Sequence, residues 1–394
     1  MSLNCIKIGI RQNLLYPFLF MIYINILRII RVAFLEITRK DYINSIFAAL
    51  TFPSNIFLGG IFLYLENKEN KAKREQLFEN HSIQERDSKE KSLRRLYFTS
   101  KIILLIFLDA YLEFIGLLRQ IYYLELKPPK TNIITLDIRI RSREIIVASI
   151  ICYLTIGTQL KRHHIVSLII ILICILSFYI FETIVQFNLE YFSSVYKFLK
   201  LQVLKVIINI CRVLSDVIEK YLFEFIYFSP FKLLFLKGIM QTIFMAVFYL
   251  FNINYAKKEF SNLFDKHNTL YIVFSVIALL LYFFVSGYSS IYKLYTVKMY
   301  SPMTRTLSDT VMDVFYFIYI SKNEKETYNI IFIPHFWATL IEIIIMLFFN
   351  LVYNEFLVLN FGGMEKDTHL EIEKRASEIE LIDNDDNTSC KSGN

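Results

Sequence analysis

Long apolar runs, spaced along the whole chain, constrain this sequence more than any motif in it. The first extends from Leu14 to about Leu27, and others lie near 43–65, 98–119, 135–158, 165–187, 200–221, 231–252, 270–292, 303–320 and 329–352. A helix crosses a bilayer with about 20 apolar residues, and backbone groups in hydrocarbon must be bonded within their own segment. The runs are unbroken instead of alternating over about ten residues, which argues against β-barrel spans. The expectation is an all-α polytopic membrane protein with about ten transmembrane helices. The first run ends in Arg28 and Arg31 without a small-residue cleavage pattern, so it reads as an uncleaved helix and not a signal peptide.

The composition agrees with a lipid solvent. Hydrophobic residues make up 55% of the chain and charged ones 20%, against about 45–50% and a quarter in globular domains. The charge is densest in 66–97 and 364–394. The first of these is expected to be a cytosolic loop or surface helix, the second an acidic cytosolic tail. The net charge of +7 is spread over many loops with no basic stripe, so nucleic acid is not an expected partner. The five cysteines stand singly, which implies neither a disulfide framework nor a zinc site. No Gly-rich phosphate loop, G-x-S-x-G or H-E-x-x-H occurs, so no enzyme, cofactor or metal is expected. Lysine and arginine in 66–97, Lys161/Arg162 and Lys293/Lys298 slightly outweigh Arg39/Lys40 and Arg139/Arg141/Arg143 in setting orientation. Both termini are accordingly placed in the cytosol.

Charges inside the apolar runs are the candidate functional groups. Asp109 and Glu113 are four apart, hence on one helix face. An ionised residue at mid-bilayer costs about 2.5–3.5 kcal/mol, so two acids must face partners, water or the bundle interior. Two readings stay open: a structural pair with Arg119 or Lys101, or a solute or proton site. Thr306, Asp309, Asp313 and Tyr316 form a stripe at helical spacing, with Arg305 four before Asp309 and able to neutralise it. Ser286, Ser289 and Ser290 could add hydroxyls or simply allow tight packing. Arg139, Arg141 and Arg143 read either as an interfacial anchor or, at Arg141, as a fork for a phosphate or carboxylate. His163 and His164 read as interfacial, and Glu342 is unassigned.

An internal repeat connects some of these positions. Arg139-to-Leu154 followed by His164 and an apolar run is answered by Met303-to-Ile318 followed by His335 and an apolar run. Arg141 and Arg305 are repeat mates. Paired halves of this kind are common in transporters. Four stretches, IRSREIIVASIICYL with KRHHIVSLIIILI, SDVIEKYLFEFIYFSPFKLLFLKGI, YSPMTRTLSDTVMDV and FWATLIEIIIMLFFNLVYNE, give the chain its resemblance to a known family. It resembles the solute carrier family 35 branch of the drug/metabolite transporter superfamily. The family's Thr-Arg with a following aspartate falls on Thr304, Arg305 and Asp309. Its acid–lysine pair falls on Glu219 and Lys220, and its Tyr-Asn on Tyr353 and Asn354. The family's Glu-Gly is replaced by Lys237-Gly238. The resemblance implies two five-helix inverted repeats, here 1–187 and 188–360, followed by the tail 361–394.

It further implies a carrier of a small polar or anionic organic solute, such as a nucleotide sugar, working by alternating access in an intracellular membrane (Golgi, endoplasmic reticulum or endolysosome). The expected solute-binding residues are Asp109, Glu113, Arg141, Arg305, Thr306, Asp309, Asp313 and Ser289. Membrane lipid and a small-molecule solute are the expected partners, and a homodimer stays open. The alternative is a degenerate carrier fold serving as a non-transporting scaffold or receptor partner.

Overall fold

The structure, a computed structural model, describes residues 6–7, 23, 44–78, 89–126, 144–188, 195–253, 269–307, 310–311, 332–359, 363, 365–368, 371–372 and 374–375. Among the described residues the helices of twelve residues or more are α1 (Asn44–Phe78), α2 (Lys89–Leu126), α3 (Glu144–Thr155), α4 (Arg162–Asn188), α5 (Val195–Glu224), α6 (Pro230–Phe251), α7 (Thr269–Met299) and α8 (Phe332–Tyr353). Each coincides with one of the apolar runs. After α7, residues 302–307 are helical too, opened by Ser301, whose hydroxyl accepts the Thr304 N–H at 3.1 Å. Pro302 stands at the first helical position, where its missing N–H costs nothing. The run 14–27 lies outside the described residues except for Tyr23, as does most of 303–320.

Two features depart from the plain pattern of spans and loops. The charged stretch 66–97 is helical where described: α1 continues to Phe78 and α2 begins at Lys89. Ala, Lys, Glu and Gln there are strong helix formers, so the spans run out of the apolar zone without a break. Residues Ile6–Lys7 pair antiparallel with Val358–Leu359 just beyond α8. This two-residue ladder is the only β structure among the described residues, and the fold is all-α.

α5 is the hub. One stretch of it, with Val213 and Val217, packs into a core of Ile145, Ala148 and Cys152 from α3, Ile171 and Ile175 from α4, and Met346 and Tyr353 from α8. Its last turns, with Leu222 and Phe223, enter a second core of Leu58, Ile106, Leu233, Leu234 and Leu294 from α1, α2, α6 and α7. α1 lies along both α6 and α7, α2 along α5 and α6, and α4 along α8. The close α1 contacts depend on glycine. A Cβ at Gly238 of α6 would come within 3.0 Å of the Ile56 backbone nitrogen, and one at Gly287 of α7 would strike Ser54.

The polarity of the bundle is inverted relative to a water-soluble one. Ile103, Leu104, Phe107 and Leu108 of α2, and Ile169, Leu172, Ile173 and Leu176 of α4, are exposed, whereas Asp109, Glu144, Asp216, Glu219 and Lys237 are buried. Water-soluble folds almost never bury charges unless paired, nor do they expose such continuous aliphatic faces. Among the described residues two helical segments, Ala49–Lys71 and Pro230–Phe251, are long and apolar enough to cross a membrane, and Glu144–Thr155, Arg162–Phe178 and Leu340–Tyr353 form shorter apolar helices.

Candidate functional site

Four helices send ionisable or polar side chains into one interior. α2 supplies Asp109 and Glu113, α6 supplies Lys237 and Gln241, and α7 supplies Lys293. α5 supplies Ser215, Asp216 and Glu219. Residues four apart in a helix share a face, so each pair is delivered together once its helix turns its aliphatic side outward.

Lys237 is the centre of the arrangement. Its ammonium donates to Asp109 Oδ1 at 3.0 Å and Glu219 Oε1 at 2.5 Å, and lies 3.2 Å from Glu113 Oε1. Lys293 donates to Glu113 and stands 3.5 Å from Asp216 and 3.7 Å from Glu219. Arg305, just after α7, pairs with Asp216. Gln241 donates its amide to Glu113 Oε2 at 2.7 Å, and Ser215 donates its hydroxyl to Asp109. Four carboxylates thus meet three cations in a continuous network. Burial is graded across it: the Asp109 and Glu219 side chains are 0% exposed, Lys293 17% and Glu113 26%. One end is therefore sealed and the other reaches toward solvent.

The two acids of α2 find their cationic partners on α6 and α7. Asp109 and Glu113 pair with Lys237 and Lys293, not with Lys101, whose ammonium sits over the Tyr221 ring. The Arg119 side chain lies outside the description. Of the residues expected to bind solute, Asp109, Glu113 and Arg305 belong to the network, and Ser289 is half-buried one turn before Lys293. Thr306 is buried, but its hydroxyl donates to the Met303 carbonyl at 2.6 Å. Its side chain is thus spent on its own helix. Arg141, Asp309 and Asp313 lie outside the described residues.

Sequence reasoning passed over Lys237, Lys293, Asp216 and Gln241. Lys237 and Gln241 stood four apart in an apolar run, the same signal that singled out Asp109 and Glu113. Lys293 was counted only toward orientation.

Several positions carried by the family resemblance meet nearby. Thr304 donates to Asn354 Oδ1 at 3.0 Å, and Ser149 donates to the Tyr353 hydroxyl at 3.0 Å. Lys220 turns away from the network and donates to the Lys298 and Tyr300 carbonyls at 3.2 and 2.8 Å. It caps the C-terminal end of α7, where an ammonium complements the helix dipole. Glu144 pairs separately with Arg212 at 3.1 Å.

One other group has the composition of a metal site. Ligand atoms of His163, His164 and Glu355 lie within 4.8 Å of one another. The Lys161 ammonium is 3.9 Å from Glu355, and His164 Nδ1 accepts the Lys161 N–H at 3.1 Å. A cation there would meet an existing positive charge and a ring nitrogen already engaged.

No protein-family model matches the chain, and no curated protein matches it.

Proposed function

We propose that the chain is a multi-pass membrane carrier moving a small polar organic solute by alternating access, and a divergent member of the solute carrier family 35 branch. The observation that carries this reading is the charge network itself. Seven ionisable side chains occupy the interior of a bundle whose outer faces are aliphatic, and intramembrane charges facing a bundle interior mark solute and ion pathways.

The helix packing supports it as well. Exchanging each span with the one five later in the ten-span order swaps α1 with α6, α2 with α7 and α4 with α8. The α1–α6 and α4–α8 contacts then map onto themselves, α1–α7 onto α2–α6, and α1–α2 onto α6–α7. This exchange among the described helices supports the reading of two inverted five-helix halves. The ladder between Ile6–Lys7 and Val358–Leu359 joins the stretch before the first apolar run to the stretch after α8, which supports an even number of crossings. On this reading the solute enters at the Glu113–Lys293 end, and rocking of the halves opens the Asp109–Glu219 end. A nucleotide sugar or related metabolite in an intracellular membrane is the proposed setting.

A scaffold without transport is the second reading, favoured by one observation: Lys237, Lys293 and Arg305 already have carboxylate partners. Uptake by reconstituted vesicles across a panel of nucleotide sugars, nucleotides and amines separates the two. The carrier reading expects saturable uptake that Glu113→Gln reduces at least tenfold. Absence of flux for every compound, with a folded protein in the vesicles, would leave the scaffold.

A further inference from the structure

Among the described residues the network contains one carboxylate more than it has cations, and two of its acids, Asp109 and Glu219, are shut off from solvent. Glu113 receives Lys293, Lys237 and the Gln241 amide, and Asp216 receives Arg305 and faces Lys293. Both are therefore matched by cations. Asp109 and Glu219 both contact Lys237, which Glu113 also contacts, Lys293 stands 3.7 Å from Glu219, and neither acid is exposed to solvent. Glu219 Oε2 is buried and has no hydrogen-bond partner. If all four acids were ionised the dry interior would hold a net negative charge, which a low-dielectric site relieves by taking up a proton.

We infer that the Asp109–Glu219 pair around Lys237 holds one dissociable proton, and that this proton is the ion to which transport is coupled. The second half of the inference rests on the carrier reading; the first does not. Chemically the step is simple: one carboxylate gains a proton from water to become a carboxylic acid, and returns it when the site opens.

The surroundings from every neighbouring helix fit this assignment. α2 presents Asp109 and Glu113, α5 presents Ser215 and Asp216, α6 Lys237 and Gln241, and α7 Lys293, with Arg305 beyond it. Lys220 is committed to the α7 carbonyls and Glu224, and Glu144 of α3 to Arg212. α1 adds Ser54, whose hydroxyl is given to the Phe283 carbonyl.

Difference infrared spectroscopy of the full chain in lipid nanodiscs, titrated with acid and base, tests it directly. The expected result is a protonated-carboxyl C=O band that shifts in deuterated water and declines as pH rises. Glu219→Gln or Asp109→Asn removes the band, and Glu224→Gln, at a half-exposed position, leaves it. Because each single amide mimics the protonated acid, at least one of the two variants should melt close to wild type. The double variant leaves an uncompensated lysine charge and should melt lower.

A wild-type protein with no titrating carboxyl band overturns the proton site, as does a band that survives in both single variants. Vesicle flux separates this from the carrier reading. A band without flux of any solute keeps the proton site and removes the coupling. Flux indifferent to an imposed pH gradient, with no band, removes the inference and leaves the carrier.

Discussion

Lys237 occupies the position where the family resemblance expects an acid, and the three carboxylates around it make sense of the reversal. An acid there would join Asp109, Glu113 and Glu219 in one dry pocket; a lysine holds them together instead. Removing it by Lys237→Met strands buried carboxylates, and loss of one partner from a buried pair costs about 3–5 kcal/mol. Lys237→Met is therefore expected to lower the detergent-solubilised melting temperature sharply, and combining it with Asp109→Asn and Glu219→Gln should recover part of the loss. Lys220→Met removes a helix cap and a pair whose acid, Glu224, is exposed, and is expected to cost less than Lys237→Met because no buried carboxylate is stranded. Equal losses for the two lysines would contradict the network. None of these pairings was legible in the sequence, because Lys237 lies 128 residues from Asp109 and Lys293 lies 180 from Glu113. Cost alone indicated that Asp109 and Glu113 need partners. Which lysines answer is decided by how helices distant in the chain pack.

The helices themselves were legible, since an apolar run of about 20 residues has few other outcomes. Their ends were less so. Hydropathy stops where charge begins, whereas Asn67–Phe78 and Lys89–Ser100 continue as helix on propensity and backbone bonding. Packing between elements was not legible, but it left a trace in the rare glycines. Gly238 and Gly287 lie where α6 and α7 cross α1, and small residues allow such close approach in membranes. Gly238→Val and Gly287→Leu are expected to destabilise the bundle by about 1–3 kcal/mol through overpacking. Gly116 of α2 has nothing within 4 Å of a built Cβ, so Gly116→Ala should be neutral or stabilising by about 0.5–1 kcal/mol. Thermal unfolding of the three variants side by side checks the order, and a Gly238→Val protein as stable as Gly116→Ala would refute the crossing geometry.

Aliphatic faces outside and charges inside are what the proposed membrane carrier requires of its described helices. The orientation proposed with it comes from lysine and arginine placement. It predicts that neither Asn80 nor Asn387, the two N-x-S/T sites of the sequence, carries glycan, since glycosylation is lumenal. A mass shift on glycosidase treatment that Asn80→Gln or Asn387→Gln abolishes would invert the orientation while leaving the fold intact.

On the carrier reading, the charge network lies on a path opened to each side of the membrane in turn. Ser289, half-buried on the α7 face one turn before Lys293, reports on that path. Ser289→Cys, in a chain whose five native cysteines are replaced, should react in sealed vesicles with an impermeant thiol reagent added from either side, and transported solute should slow both reactions. Labelling from one side alone, unaffected by any solute that the vesicles take up, would contradict alternating access at this site.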